Sequence, residues 1–288
     1  MTETFKPGAW GTDDPRDELA RLRDQIRHLR AQARNRPPIA EAQGILKERY
    51  RLPDAEAAFA LLQLASQRYN VRLRTLAHAV LRLDRPDHGA ETWFPGRVRH
   101  PAPALESLAI DDASHAHRGA VLGALLSQTL AITTTHMGNV QIGDHSTGGL
   151  WLEKHAGLSD DFVDFFGFVG GDGTSCAQAA QEVAQVTVRD VATDPVFTED
   201  ARRTILEAGS RAAHSVPLVA GGRCVGMVSA HFERPIHDLH AAQLKALEQT
   251  GREVGRWLAW YDRTVVLDAL EHLHAAARHP GLRPARRR

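Results

Sequence analysis

The chain has 288 residues, 43% of them hydrophobic and 24% charged, which is more than one average domain and excludes a disordered polypeptide. No apolar run approaches the ~20 residues that span a bilayer, residues 1–14 lack the plan of a secretory signal, and the only two cysteines, Cys176 and Cys224, have no CxxC spacing; membrane spans, disulfide frameworks and cysteine-rich zinc sites are therefore excluded, and a reducing, cytoplasmic setting is expected. The formal net charge is zero but segregated: residues 16–85 carry fifteen Lys/Arg against eight Asp/Glu, and residues 105–262 eleven against twenty, so a basic segment suited to a polyanion precedes an acidic one.

In chain order, residues 1–15, with Pro7, Gly8, Gly11 and Pro15, show no period and are expected to form a mobile leader. Leu19, Leu22, Ile26 and Leu29 recur at three, four and three residues, which predicts a coiled-coil helix over 16–36. Barely two heptads need a partner chain or packing within the molecule, and a homodimer is the expectation. Pro38 can open a helix over 38–50 with Ile39, Ala42, Ile45 and Leu46 on its inner face. Asp54 as N-cap predicts a second helix over 55–66 through Ala58, Leu61, Leu62 and Ala65, and Asn70 as cap a third carrying Leu73, Leu76, Ala77, Val80 and Leu81. Residues 37–83 thus read as a three-helix module. The Pro- and Gly-rich stretch 84–104 reads as a linker in which Trp93 and Phe94 dock on a neighbouring surface.

Residues 105–263 mix helices and strands: a helix over 113–133, strands at 136–144 and 149–155, an amphipathic segment at 159–168, and strands at 186–188, 214–219 and 224–232, with a helix near 199–208. The stretch Val219-Ala220-Gly221-Gly222-Arg223-Cys224 is a hairpin signal, and a long helix over 239–274 closes the domain. Residues 264–288 hold the end of that helix and a basic tail expected to be disordered. The fold class is α+β: a coiled-coil helix and a three-helix module, then an antiparallel sheet flanked by helices.

Charge alone does not separate a solvated basic face from a nucleic-acid surface. The residue order goes further: Arg36-x-x-Ile39-x-x-Ala42-Gln43-Gly44-Ile45-Leu46, Glu48-Arg49-Tyr50, Ala57-Ala58-Phe59-x-Leu61-Leu62, Ala65-Ser66-Gln67, Asn70-x-Arg72-Leu73 and Ala77 resemble the ANTAR family of RNA-binding antiterminators over about 50 residues. The resemblance implies a module that binds tandem RNA stem-loops in nascent transcripts. Loop bases are stacked and hydrogen-bonded while phosphates meet cations, so the RNA-contact candidates are Arg36, Gln43, Lys47, Arg49, Arg68, Asn70, Arg72 and Arg74. Gln43 stands where many members have lysine, and Lys47 where methionine is common.

Met137-Gly138-Asn139-Val140-Gln141, Gly173-Thr174-Ser175-Cys176-Ala177, Asp190-Val191, Asp194-Pro195, Ser215-Val216-Pro217-Leu218 and Gly226-Met227-Val228-Ser229-Ala230-His231-Phe232 look like landmarks of a GAF domain. That resemblance implies a sheet-based sensory domain over 105–263 with a small-molecule ligand; the ligand, its contact residues and any cofactor stay open. Cys176 at a helix start raises the alternative of a GAF-type reductase, but it reads better as a compact filler, so no catalytic residue and no enzyme activity are expected. His136, His155, His214 and His231 show no metal-ligand spacing, and no metal is expected. A DNA-binding regulator using the third helix as a recognition helix is the other alternative.

Overall fold

The computed structural model describes residues 38–144, 148–170 and 173–279; the leader, the coiled-coil helix and the arginine-rich tail lie outside them. Three helices come first: α1 over 38–50, α2 Ala55–Tyr69 and α3 Leu73–Arg82. Their buried positions follow the helical repeat: Ala42 and Leu46 in α1, Ala58, Leu61, Leu62 and Ala65 in α2, Leu76, Ala77 and Val80 in α3. Asp54 caps α2 as expected, its Oδ1 accepting from the Ala57 amide at 2.7 Å. Asn70 does not start α3. It ends α2 as a left-handed C-cap with φ 50°, its amide donating to the Ser66 carbonyl, and Arg72 takes the N-cap position of α3. Asparagine serves both ends of helices, because it accepts at an N-cap and tolerates the left-handed region at a C-cap.

The larger lobe runs α4 Arg118–Thr133, β1 Met137–Gly143, β2 Leu150–Ala156, α5 Asp160–Phe165, β3 Phe168–Val169, α6 Ser175–Glu182, β4 Val186–Val188, α7 Glu199–Glu207, β5 Ala212–Ala220, β6 Arg223–Phe232 and α8 Ala241–Tyr261. The strands form an antiparallel sheet in the order β3-β2-β1-β6-β5-β4. Alternation sends Val140, Val216, Leu218 and Val228 to the face under α4 and α8, and Met137, Ala213 and Met227 to the face under α5, α6 and α7. The helix expected over 113–133 starts only at Arg118, because Asp112 turns the chain, its Oδ1 accepting from the amides of Ser114 and His115 at 3.2 Å each. Helix α8 lies close on β5 through two glycines one turn apart: a Cβ on Gly251 would stand 2.6 Å from the Pro217 carbonyl oxygen, and one on Gly255 would overlap the Val219 backbone.

The closing helix does not end with α8. A π turn, Asp262–Val266, leads directly into α9, Leu267–Arg278. One residue added to the α-helical repeat turns the downstream face by roughly 100°. Whereas α8 faces the sheet, α9 buries Ala269, Leu270, Leu273 and Ala276 and packs on α2 and α3 as a fourth helix of the N-terminal module. One apolar core therefore runs from Ala42 and Leu62 through Leu273 to Trp257 and the α4–α8 face of the sheet. Residues 84–104 contain no helix or strand before Leu105, yet they are strapped to α9. The Glu271 carboxylate accepts from the amides of Trp93 and Phe94 at 2.8 and 2.7 Å, and Asp268 pairs with Arg97 and Arg99. Trp93 and Phe94 thus dock on a neighbouring surface, that of α9, and residues 84–104 hold the lobes together.

Two glycine substitutions should move stability in opposite directions. Gly255→Val, which forces a side chain into the Val219 backbone, is expected to cost about 3 kcal/mol in denaturant titration, whereas Gly44→Ala, at an open helical position with nothing within 4 Å, is expected to gain ~0.5–1 kcal/mol.

Candidate nucleic-acid interface

Helix α3 presents its first turns to the hairpin of β1 and β2. The Arg74 guanidinium carbon lies 3.4 Å from the ring centroid of Trp151 in β2. Its Nε donates to His78 Nε2 at 3.2 Å, and one Nη stands 3.8 Å from Asp144 just past β1. Asp144 is itself oriented by the Trp151 indole, which donates to Oδ2 at 3.0 Å. Arg72 pairs with Glu153, whose other carboxylate oxygen faces Arg118 at 3.6 Å. Asn70 Nδ2 donates to His117 Nδ1 at 2.9 Å. Burial pulls the Arg74 guanidinium below its ordinary value, with Asp144 and Glu153 working against that, and burial likewise lowers His78, so its imidazole accepts as the neutral form.

The eight sequence-predicted contact residues therefore divide. Asn70, Arg72 and Arg74 converge on the sheet lobe. Arg49 turns the other way, its guanidinium 4.7 Å from the Trp93 ring centroid with one buried Nη lacking a hydrogen-bond partner, and burial lowers its pKa. Gln43 ties α1 to α2, its Nε2 donating to the Ala55 carbonyl at 3.1 Å. Lys47 and Arg68 are exposed, and Arg36 lies outside the described residues. Sequence reasoning missed Trp151, Glu153, Asp144, His78 and Arg118. Trp151 and Glu153 alternate along β2, so they share one face of the strand, but nothing local links that face to α3.

On the other face of the sheet, Asn139, Gln141, Phe162, Phe166, Cys176 and His231 line a cavity of 20 Å³, room for about one water. Its lining carries no ionised side chain: His231 Nε2 donates to Asn139 Oδ1 at 3.0 Å while Nδ1 accepts from Ser210, and burial drops its pKa to about 4. His214 is held in the same way, donating to Gln185 Oε1 at 2.9 Å and accepting from Thr187, also with a pKa of about 4 through burial. The Cys176 thiol lies 3.3 Å from Ser229 Oγ, and burial pushes its pKa up. Among the described residues no group of three His, Cys, Asp or Glu side chains could hold a metal, and no helix is long and apolar enough to cross a membrane.

Residues 27–81 match the family model for the ANTAR domain, and residues 115–257 match that for the GAF domain. The chain carries an ANTAR domain followed by a GAF domain. No curated relative matches it. Among solved structures, the GAF domain from a phosphoenolpyruvate-protein phosphotransferase of Coxiella burnetii is 11% identical, covers 55% of this chain and 91% of its own, and has a TM-score of 0.46. The GAF domain/HD domain protein from Geobacter sulfurreducens is 14% identical over 51% of this chain and 94% of its own, with a TM-score of 0.42. Free methionine-R-sulfoxide reductase from Neisseria meningitidis is 14% identical over 62% and 98%, with a TM-score of 0.38. The six-stranded antiparallel sheet flanked by helices is the GAF part, and α1 to α3 lie in the ANTAR part.

The buried histidines of the GAF domain set a pH limit. Unfolded, they titrate at the ordinary 6.5; folded, at about 4, so between those values the unfolded chain binds more protons. Their stabilising effect is complete above pH 6.5 and is lost as pH falls toward 4, on the order of 3 kcal/mol for each. Denaturant titrations from pH 7 to 4.5 should show that fall, and His231→Gln should make it shallower.

Proposed function

We propose that the protein is a signal-responsive transcription antitermination regulator that works by binding rather than catalysis. Its ANTAR module takes RNA stem-loops of nascent transcripts, and its GAF domain, responding to a small-molecule cue, governs how much of that module is available. It acts in the cytoplasm as a homodimer.

One observation carries the reading: the arginines at the start of α3 are engaged by the GAF hairpin in the manner that RNA would engage them. A guanidinium stacks on nucleobases as Arg74 stacks on Trp151, and it pairs with phosphates as Arg72 pairs with Glu153. The hairpin thus occupies two cations of the proposed surface, while Lys47 and Arg68 stay exposed. A cue that moves the hairpin relative to α3 frees Arg72 and Arg74, and RNA affinity rises by whatever free energy the closed contact held. The raised pKa of Cys176 supports a binding role, since a thiol-based reductase needs a thiolate.

Fluorescence anisotropy of the full chain on tandem stem-loop RNA and on duplex DNA at matched salt tests the reading. Stem-loop RNA should bind tighter than the duplex. Arg74→Ala is expected to weaken RNA binding about ten-fold, and Arg68→Ala to lower the salt slope by about one. Equal affinity for the duplex, or no RNA bound at any salt, contradicts it.

A further inference from the structure

A crevice of 120 Å³, six times the volume of the sheet-face cavity, lies between the two lobes. Helix α3 contributes Arg74, His78 and Arg82, α4 contributes Arg118, the hairpin contributes Asp144, Trp151 and Glu153, and the π turn contributes Asp262 and Val266. Isolated π turns within α-helices are rare and concentrate at functional sites. Here the turn lies where the long C-terminal helix passes the junction and forms part of the cavity wall.

The lining itself carries three guanidinium groups, those of Arg74, Arg82 and Arg118, and three carboxylates. Counting Arg72, which neutralises Glu153 from outside the cavity, four guanidinium groups meet three carboxylates, those of Asp144, Glu153 and Asp262. Arg82 forms no ion pair among the described residues, and Arg118 reaches Glu153 only at 3.6 Å. The space suits a few heavy atoms, since an engineered cavity of about 150 Å³ takes benzene.

We propose that this junction cavity is an effector site for a small oxyanion, a carboxylate or a phosphate, held by Arg82 and Arg118. The inference rests on the RNA-binding reading only for its consequence, not for the binding itself. Arg82 ends α3, one residue past the ANTAR match, and Arg118 begins α4 in the GAF domain, so an anion between them bridges the helical module and the GAF domain. Such an anion binds the closed arrangement and not one in which α3 has left the hairpin. It therefore stabilises the closed form and, by linkage, lowers RNA affinity.

Calorimetric titration and thermal melting of the full chain with inorganic phosphate and, separately, acetate, each against potassium chloride at matched ionic strength, test the site without any RNA. The expected result is saturable binding of one anion per chain with a rise in Tm, and the arm with the tighter binding identifies the chemical source. Arg82→Gln, on the exposed end of α3, and Arg118→Gln should each weaken binding about ten-fold, whereas Arg252→Gln on the far helix α8 should not change it. Adding the anion should reduce stem-loop RNA affinity in the wild type and leave it unchanged in Arg82→Gln. Absence of saturable binding in both arms, or equal binding by wild type and both arginine variants, overturns the site. Anion binding as expected in a chain that retains no RNA leaves the site standing and overturns the RNA reading instead.

Discussion

The arrangement of this molecule depends on the burial of α9 in the N-terminal helical module. Three helices of ten to fifteen residues enclose little apolar volume, and Leu270, Leu273 and Ala276, supplied from the other end of the chain, complete their core. Because α9 continues from α8 through a single π turn, and α8 is seated on the sheet by Gly251 and Gly255, the helical module is seated against the GAF sheet in the closed arrangement. The strap over 84–104, anchored by Glu271 and Asp268, closes the same join from the other side. The docking of α3 on the β1–β2 hairpin follows from that geometry.

The consequence is electrostatic. The basic segment faces acidic and aromatic side chains of its own chain, so each cation used internally is withdrawn from a polyanion. The contact is poised rather than permanent: Arg72 is largely exposed, with 57% of its side chain accessible, and exposed ion pairs are worth ~1 kcal/mol or less. Arg74, half-buried against Trp151, holds more, since cation–π contacts strengthen as they lose water. A contact of that size can be outbid by a multivalent ligand such as folded RNA, and it can be reinforced by a bridging anion.

Much of the fold was legible because it is written in local period and punctuation. The helix over 38–50, the Asp54 cap, the strand at 186–188 and the hairpin between β5 and β6 all follow from apolar spacing or turn chemistry within a few residues. Asn70 ends α2 instead of starting α3 because its side chain suits either terminus, and only the backbone φ decides. That Trp93 and Phe94 dock is legible from their place in a Pro/Gly-rich stretch, but the surface that receives them is not; Trp93 and Glu271 are 178 residues apart, and no local pattern links them. The candidate site was half legible for the same reason. The arginines stand in a recognisable order on the helical module, whereas their partners Trp151 and Glu153 lie on a strand whose sequence gives no sign of what it faces.

On the proposed reading, α3 meets either the GAF hairpin or RNA, but not both. Spin labels at Gln67→Cys on α2 and His155→Cys on β2, both exposed positions, report the separation of the two lobes directly. The free protein is expected to give a short, narrow distance distribution that shifts to longer distances on saturation with stem-loop RNA. A distribution that stays unchanged while the RNA is bound would contradict it.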